Sequence, residues 1–314
     1  MTPLTGGVAS DIASLKVGDA RYCVKFALPK LKVAADWRAP RHRNAAEYAW
    51  LEVAARVVPE SAVRLYGRSD SAHGFVMEFV TGAETYLWKT ALLEGQPAKG
   101  EARAVGDMVG RIHAASAKPN FDRSFFWNRD DFRALRIEPY LSFTAEQHRH
   151  LAPQLHDLAD MLYDSTQVLV HGDVSPKNIL IRHGRPIILD AECATMGDAS
   201  FDPSFCLNHL ILKAVHLPAQ RTALYDEVAQ FWRAYAPHVS WEDASDLEAR
   251  ICRLLPALML ARVDGKSPVE YLGTPRREQV RKLALPLIGN PPATLSDFVQ
   301  TLTSRLKELD AWQR

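Results

Sequence analysis

The feature that most limits what this 314-residue chain can fold into is VLVHGDVSPKNILI at residues 168–181, followed by IILDAE at 187–192. Runs of Val, Ile and Leu set between turn residues predict short strands at 168–170, 178–181 and 186–190. Between the first two, a tight loop carries His171, Gly172 and Asp173. Asn178 follows five residues after the aspartate, and the next hairpin returns Asp190 and Glu192. Phosphoryl transfer needs these residue types. A carboxylate must accept or orient the proton of an attacking hydroxyl, and an amide oxygen with further carboxylates must hold the Mg2+ that neutralises the β- and γ-phosphates. Asp173 is the candidate catalytic residue, and Asn178, Asp190 and Glu192 are the candidate metal ligands.

The order H-x-D-x-x-x-x-N, then an acid on the next hairpin, matches the protein-kinase spacing H-R-D-L-x-x-x-N followed by D-F-G, with Gly172 replacing Arg and Ala191-Glu192 replacing Phe-Gly. With HGD in this place and no D-F-G, the chain resembles the aminoglycoside phosphotransferase and choline kinase superfamily, small-molecule kinases with a protein-kinase-like fold. Asp190-Ala191-Glu192, where D-x-D is usual, and the run DAECATMGDASFD at 190–202 resemble methylthioribose kinases within it. The resemblance spans residues 4–265. It implies an α+β, bilobal protein-kinase-like fold, a small β-rich N-lobe with a larger, mainly helical C-lobe, and ATP and Mg2+ as cofactors.

A kinase reading demands a lysine on the third strand and a glutamate on the following helix, because a buried cation over the phosphates must be positioned by an acid. Lys25, in YCVKFAL, alternates away from Val24 and Phe26, which suits either a cleft-facing lysine or an ordinary solvent-facing one; Glu47 lies on a helix expected over 43–57, as the partner acid or on its solvated face. Arg43, four residues before Glu47, reads as its i,i+4 helix partner. Gly6 and Gly7 fall where a phosphate-covering loop belongs, since adjacent glycines permit close backbone approach. Met77-Glu78-Phe79-Val80 precedes Thr81-Gly82, where a hinge presents backbone groups of Glu78 and Val80 to adenine.

The rest of the chain divides accordingly. Residues 1–82 read as a nucleotide-binding lobe with strands at 21–28 and 73–80, and Pro59 stops the helix between them. Residues 83–314 read as a catalytic and substrate-binding lobe, almost all helix beyond Asp202. Lys+Arg (38) against Asp+Glu (37) argues against nucleic acid as a partner. The four dispersed cysteines suggest neither a zinc site nor a disulfide framework, and no apolar run is long enough to span a bilayer, so a cytoplasmic protein is expected.

Asp202 reads as an N-cap acid bracing the catalytic loop, His113 as a packed core residue, His171 as an orienter of the loop rather than a base, and Cys193 as a small apolar filler. An apolar helix over 254–261 ends in Arg262, Asp264 and Lys266, which makes Arg262 and Asp264 candidate contacts for the acceptor; the competing role for Arg262 is to cap the helix C-terminus. The function expected is an ATP- and Mg2+-dependent kinase acting on a hydroxyl of a small polar molecule such as a sugar or amino alcohol. The alternatives are an aminoglycoside resistance phosphotransferase and an inactive nucleotide-binding sensor of the same fold. Oligomeric state is not legible.

Overall fold

The computed structural model describes residues 1–4, 10–30 and 40–311. Five antiparallel strands, β1 (Thr2–Pro3), β2 (Ser10–Val17), β3 (Ala20–Ala27), β4 (Leu65–Ser69) and β5 (Gly74–Glu78), form a sheet in the order β1-β2-β3-β5-β4. Helix α1 (Arg43–Val57) packs on it through Ala49, Trp50 and Val53, which join Cys23, Phe75 and Met77 in the core. Its limits are those the periodicity predicts, with Pro59 just beyond the end.

The chain leaves this sheet at Glu78 and re-enters β structure at β6 (Thr85–Leu87). In the larger part, β7 (Val168–Val170) pairs with β10 (Thr195–Gly197), and β6 pairs with β8 (Ile179–Arg182), which pairs with β9 (Arg185–Ile188). The helices are α2 (Trp88–Leu93), α3 (Glu101–Ser116), α4 (Arg129–Phe132), α5 (Phe143–Gln147), α6 (Ala152–Asp164), α7 (Phe201–His216), α8 (Arg221–Tyr235), α9 (Ala244–Asp264), α10 (Thr274–Gly289) and α11 (Leu295–Ala311).

Helix α7 is buried on every side from Phe201 to Val215, as a helix apolar all round must be, and α8, α9 and α10 surround it. Between α4 and α5, residues Arg133–Ser142 form a π-helix containing Pro139. Pro139 has no N–H to offer the carbonyl four residues back, and the wider turn accommodates its ring. Among the described residues, no helix is long and apolar enough to cross a membrane.

Candidate active site

Strand β7 delivers the loop His171-Gly172-Asp173 into the cleft. Gly172 has φ +82°, and a Cβ there would lie 2.8 Å from the Cβ of Cys193, so glycine is required on both counts. The buried carboxylate of Asp202 accepts the N–H groups of His171 (2.7 Å) and Gly172 (2.9 Å), which is the bracing role expected of it. It does so from the first turn of α7 and not from the N-cap, which is Ser200. His113, fully buried, lies 3.3 Å from Asp202 and 2.8 Å from the Tyr235 hydroxyl. His171 orients the loop: its Nδ1 accepts the N–H of Asp173 at 3.0 Å, and burial holds its pKa down, so the ring is neutral. Burial pushes the Cys193 thiol up to about 12, in keeping with an inert filler. Asp202→Ala would orphan two buried N–H groups, and we expect it to cost about 2–4 kcal/mol in urea unfolding and to slow turnover, with Asp202→Asn, which keeps one acceptor, milder on both measures.

Asp173 is buried, and three donors surround its carboxylate: Arg136 Nη2 at 3.0 Å, Lys177 Nζ at 3.1 Å and the Ser175 hydroxyl at 3.0 Å. Burial alone would raise its pKa, but Lys177 and Arg136 hold it far below the usual carboxylate range. The group is therefore ionised at neutral pH, an acceptor with two cations beside it. Arg136, which the sequence reading missed, also donates to the Gly172 carbonyl. It sits in the π-helix that Pro139 imposes, where helical periodicity carries no signal.

Across the cleft, Lys25 is buried among three carboxylates. Its Nζ lies 2.7 Å from Glu47 and 3.2 Å from Glu192, and it donates to Asp190. Arg43 does not pair with Glu47 as expected. Four residues apart on α1, both side chains are buried, and Arg43 reaches over to Glu192 (Nε to Oε2, 2.7 Å). Ser10 donates to the other oxygen of Glu192. Lys25 and Arg43 outweigh the effect of burial and bring Glu192 down to about 2, whereas burial, with Asp190 and Glu192 nearby, pushes Glu47 up to about 8 against the pull of Lys25.

Carboxylate oxygens of Glu47, Asp190 and Glu192 come within 4.8 Å of one another, a hard-oxygen set of the kind Mg2+ takes. Their openness differs. Both oxygens of Glu192 already accept from Arg43, Ser10 or Lys25, whereas the Asp190 side chain is 34% exposed. Asp190 also has φ +71°, a strained conformation for a residue other than glycine. Asn178 donates through Nδ2 to the Asp173 carbonyl at 3.1 Å, which leaves its amide oxygen as the atom to offer a metal.

The remaining sequence candidates fall differently. Gly6 and Gly7 lie outside the described residues. The N–H of Glu78 donates to the Arg64 carbonyl at 2.8 Å and its carboxylate accepts from Arg182, so its amide is spent within the protein; Val80 lies beyond the end of β5, in the connection to β6. Asp264 is held by Arg281 at 2.7 Å and His148 at 2.8 Å. Arg262 instead lines a pocket beside Pro176 and Lys177 of the catalytic loop.

A sheet-based lobe over a helical lobe, with a buried lysine–acid cluster facing a braced aspartate, is the architecture of a phosphotransferase. The chain belongs to the phosphotransferase enzyme family, whose sequence model matches residues 1–238. Among solved structures it is similar to the amicoumacin kinase hAmiN in complex with AMP-PNP, Ca2+ and Ami (16% identity, TM-score 0.54, covering 95% of this chain and 91% of that one). It is also similar to an ethanolamine kinase from Plasmodium vivax (12% identity, TM-score 0.52, 98% and 81% covered) and to a choline/ethanolamine kinase family protein from Mesorhizobium loti (15% identity, TM-score 0.50, 97% and 86% covered). These likenesses establish the fold. A sequence comparison with curated proteins found no match.

Proposed function

We propose that the protein transfers the γ-phosphoryl group of ATP to a hydroxyl of a small polar molecule. The observation that carries this reading is the presence of two unlike acids in one site: Asp173, ionised and held by two cations, and Asp190, half-buried and touching Lys25. The acceptor hydroxyl donates to Asp173, its oxygen forms a bond to the γ-phosphorus, and the bond from that phosphorus to the β,γ-bridging oxygen breaks as ADP leaves. The hydroxyl proton passes to Asp173 and on to solvent. Lys25, fixed by Glu47 and Glu192, binds the phosphates; Glu192 also ties α1, through Arg43, to the hairpin. Asp190 and the Asn178 oxygen are the side chains placed to hold Mg2+, which when bound would neutralise charge on the β- and γ-phosphates.

Glu192 thus acts as an organiser of Lys25 and Arg43 in this reading, in place of the direct metal contact that the D-x-E resemblance implies. The likeness to methylthioribose kinases gives no guide to the acceptor, because the residue that carries it touches no acceptor pocket. Release of ADP with MgATP across a panel of sugars, amino alcohols, hydroxy acids and aminoglycosides tests the function. Acceptor-dependent release that vanishes with EDTA is expected, and release indifferent to every acceptor or to EDTA would oppose it.

A further inference from the structure

The pocket beside the catalytic loop has an unusual balance of charge. Helix α7 brings His209 and Lys213, one turn apart, to its wall, and Arg262 near the end of α9 and Tyr271 close it. Lys213 is 1% exposed, yet among the described residues its ammonium donates only to the His209 carbonyl, at 3.5 Å, and lies over the face of the Tyr271 ring at 5.0 Å. Arg262, 8% exposed, donates to the Tyr140 hydroxyl at 3.2 Å and to the carbonyl and hydroxyl of Ser267, all uncharged. Among the described residues, no carboxylate forms an ion pair with either cation. The one acid on the wall, Glu270, is engaged by Lys89.

Three further buried polar atoms at the pocket have no hydrogen-bond partner: His209 Nε2, Tyr271 Oη and Arg262 Nε. An ammonium withdrawn from water without a counter-charge is costly, and burial together with Lys89 and Arg262 brings Lys213 down to about 7 against the pull of Glu270. Two cations without a carboxylate partner, together with the unsatisfied Arg262 Nε–H and Tyr271 hydroxyl, make a wall shaped for an anion. Lys177 joins the pocket to the catalytic centre, since it lines the wall and its Nζ lies 3.1 Å from Asp173.

We propose that this pocket binds an anionic group, a carboxylate or a phosphate monoester, carried by the same small molecule whose hydroxyl Asp173 addresses. The inference rests on the kinase reading above and narrows it. A hydroxy acid or a phosphorylated polyol fits, whereas an amino alcohol or an aminoglycoside would bring positive charge against Lys213 and Arg262.

The test uses the whole 314-residue chain and acceptors that differ by an added anionic group: glycerate and glycerol 3-phosphate against glycerol, and serine against ethanolamine. Melting temperature is read without nucleotide, and ADP release with MgATP. We expect the members that carry a carboxylate or phosphate to raise the melting temperature, to have a KM at least about 10-fold lower than the partners that lack it, and to lose both advantages in Lys213→Met and Arg262→Gln. The ratio between glycerate and glycerol 3-phosphate tells carboxylate from phosphate. Lys213→Met, which removes an unpaired buried charge, is itself expected to melt higher than wild type. Transfer to glycerol or ethanolamine alone would overturn the anionic pocket and leave the kinase reading standing. Anion stabilisation that depends on Lys213 and Arg262, but without transfer to any acceptor, would do the reverse. No anion effect on melting or transfer, or one that survives both substitutions, would overturn the inference.

Discussion

Asp173→Asn is expected to reduce kcat by about 10²–10⁴-fold, the usual contribution of a positioned proton acceptor, while leaving the affinity for MgATP within a few-fold of wild type. Asparagine matches the shape of aspartate but cannot take the hydroxyl proton, and it leaves Arg136 and Lys177, at 3.0 and 3.1 Å, without the charge they neutralise. Lys177 is partly exposed and can turn to solvent, so the fold is expected to survive. Because Lys177 and Arg136 keep Asp173 ionised far below neutrality, an acid limb of kcat/KM above pH 5 would not belong to this group. Single-turnover and steady-state rates measured beside nucleotide titrations separate the two effects. Full turnover in the variant would remove Asp173 from the reaction.

Asp190→Gly has the second large expected effect, and it separates function from stability. The φ of +71° costs a non-glycine residue about 1–2 kcal/mol, which glycine does not incur. The lysine it touches keeps Glu47 and Glu192 as partners. We therefore expect a melting temperature equal to or above that of wild type, together with a loss of at least about 100-fold in kcat/KM for MgATP and loss of Mg2+-dependent nucleotide binding in calorimetry. Strain retained at a position where glycine would relieve it marks a side chain kept for its chemistry. Unchanged Mg2+-dependent affinity would place the metal elsewhere.

What the sequence reveals here is what is contiguous in it. The strand–loop–hairpin from 168 to 192 is one local unit, and α1 shows as an apolar stripe ended by Pro59, so these strands and this helix fall where the sequence places them. The parts that escape depend on distant contacts. Arg43 is identifiable as a polar residue on α1, but its partner lies 149 residues away, so the nearer glutamate is the natural and mistaken choice. Asp264 lies as close in sequence to the pocket as Arg262, yet Arg281 of α10 draws it off; which helix packs beside α9 is not written in local spacing. Lys213 did leave a signal, a lysine within the largely apolar FCLNHLILKAVH, and a charge on a helix buried on every side is a reason to look for a ligand. Strands β4 (LYGRS), β6 (TYL) and β10 (TMG) lack the Val and Ile runs that mark β7, β8 and β9, so pairing rather than composition defines them.

The central claim is that Asp173 delivers a hydroxyl to the γ-phosphorus of ATP. Phosphorus-31 NMR of wild-type protein and Asp173→Asn, each with MgATP and the acceptor panel, tests it most directly. The γ resonance of ATP is expected to fall while ADP and a new phosphomonoester resonance rise in equal amounts, with the variant showing no comparable change on the same timescale. Inorganic phosphate as the only new product, AMP in place of ADP, or the same phosphomonoester formed at the same rate by Asp173→Asn would contradict it.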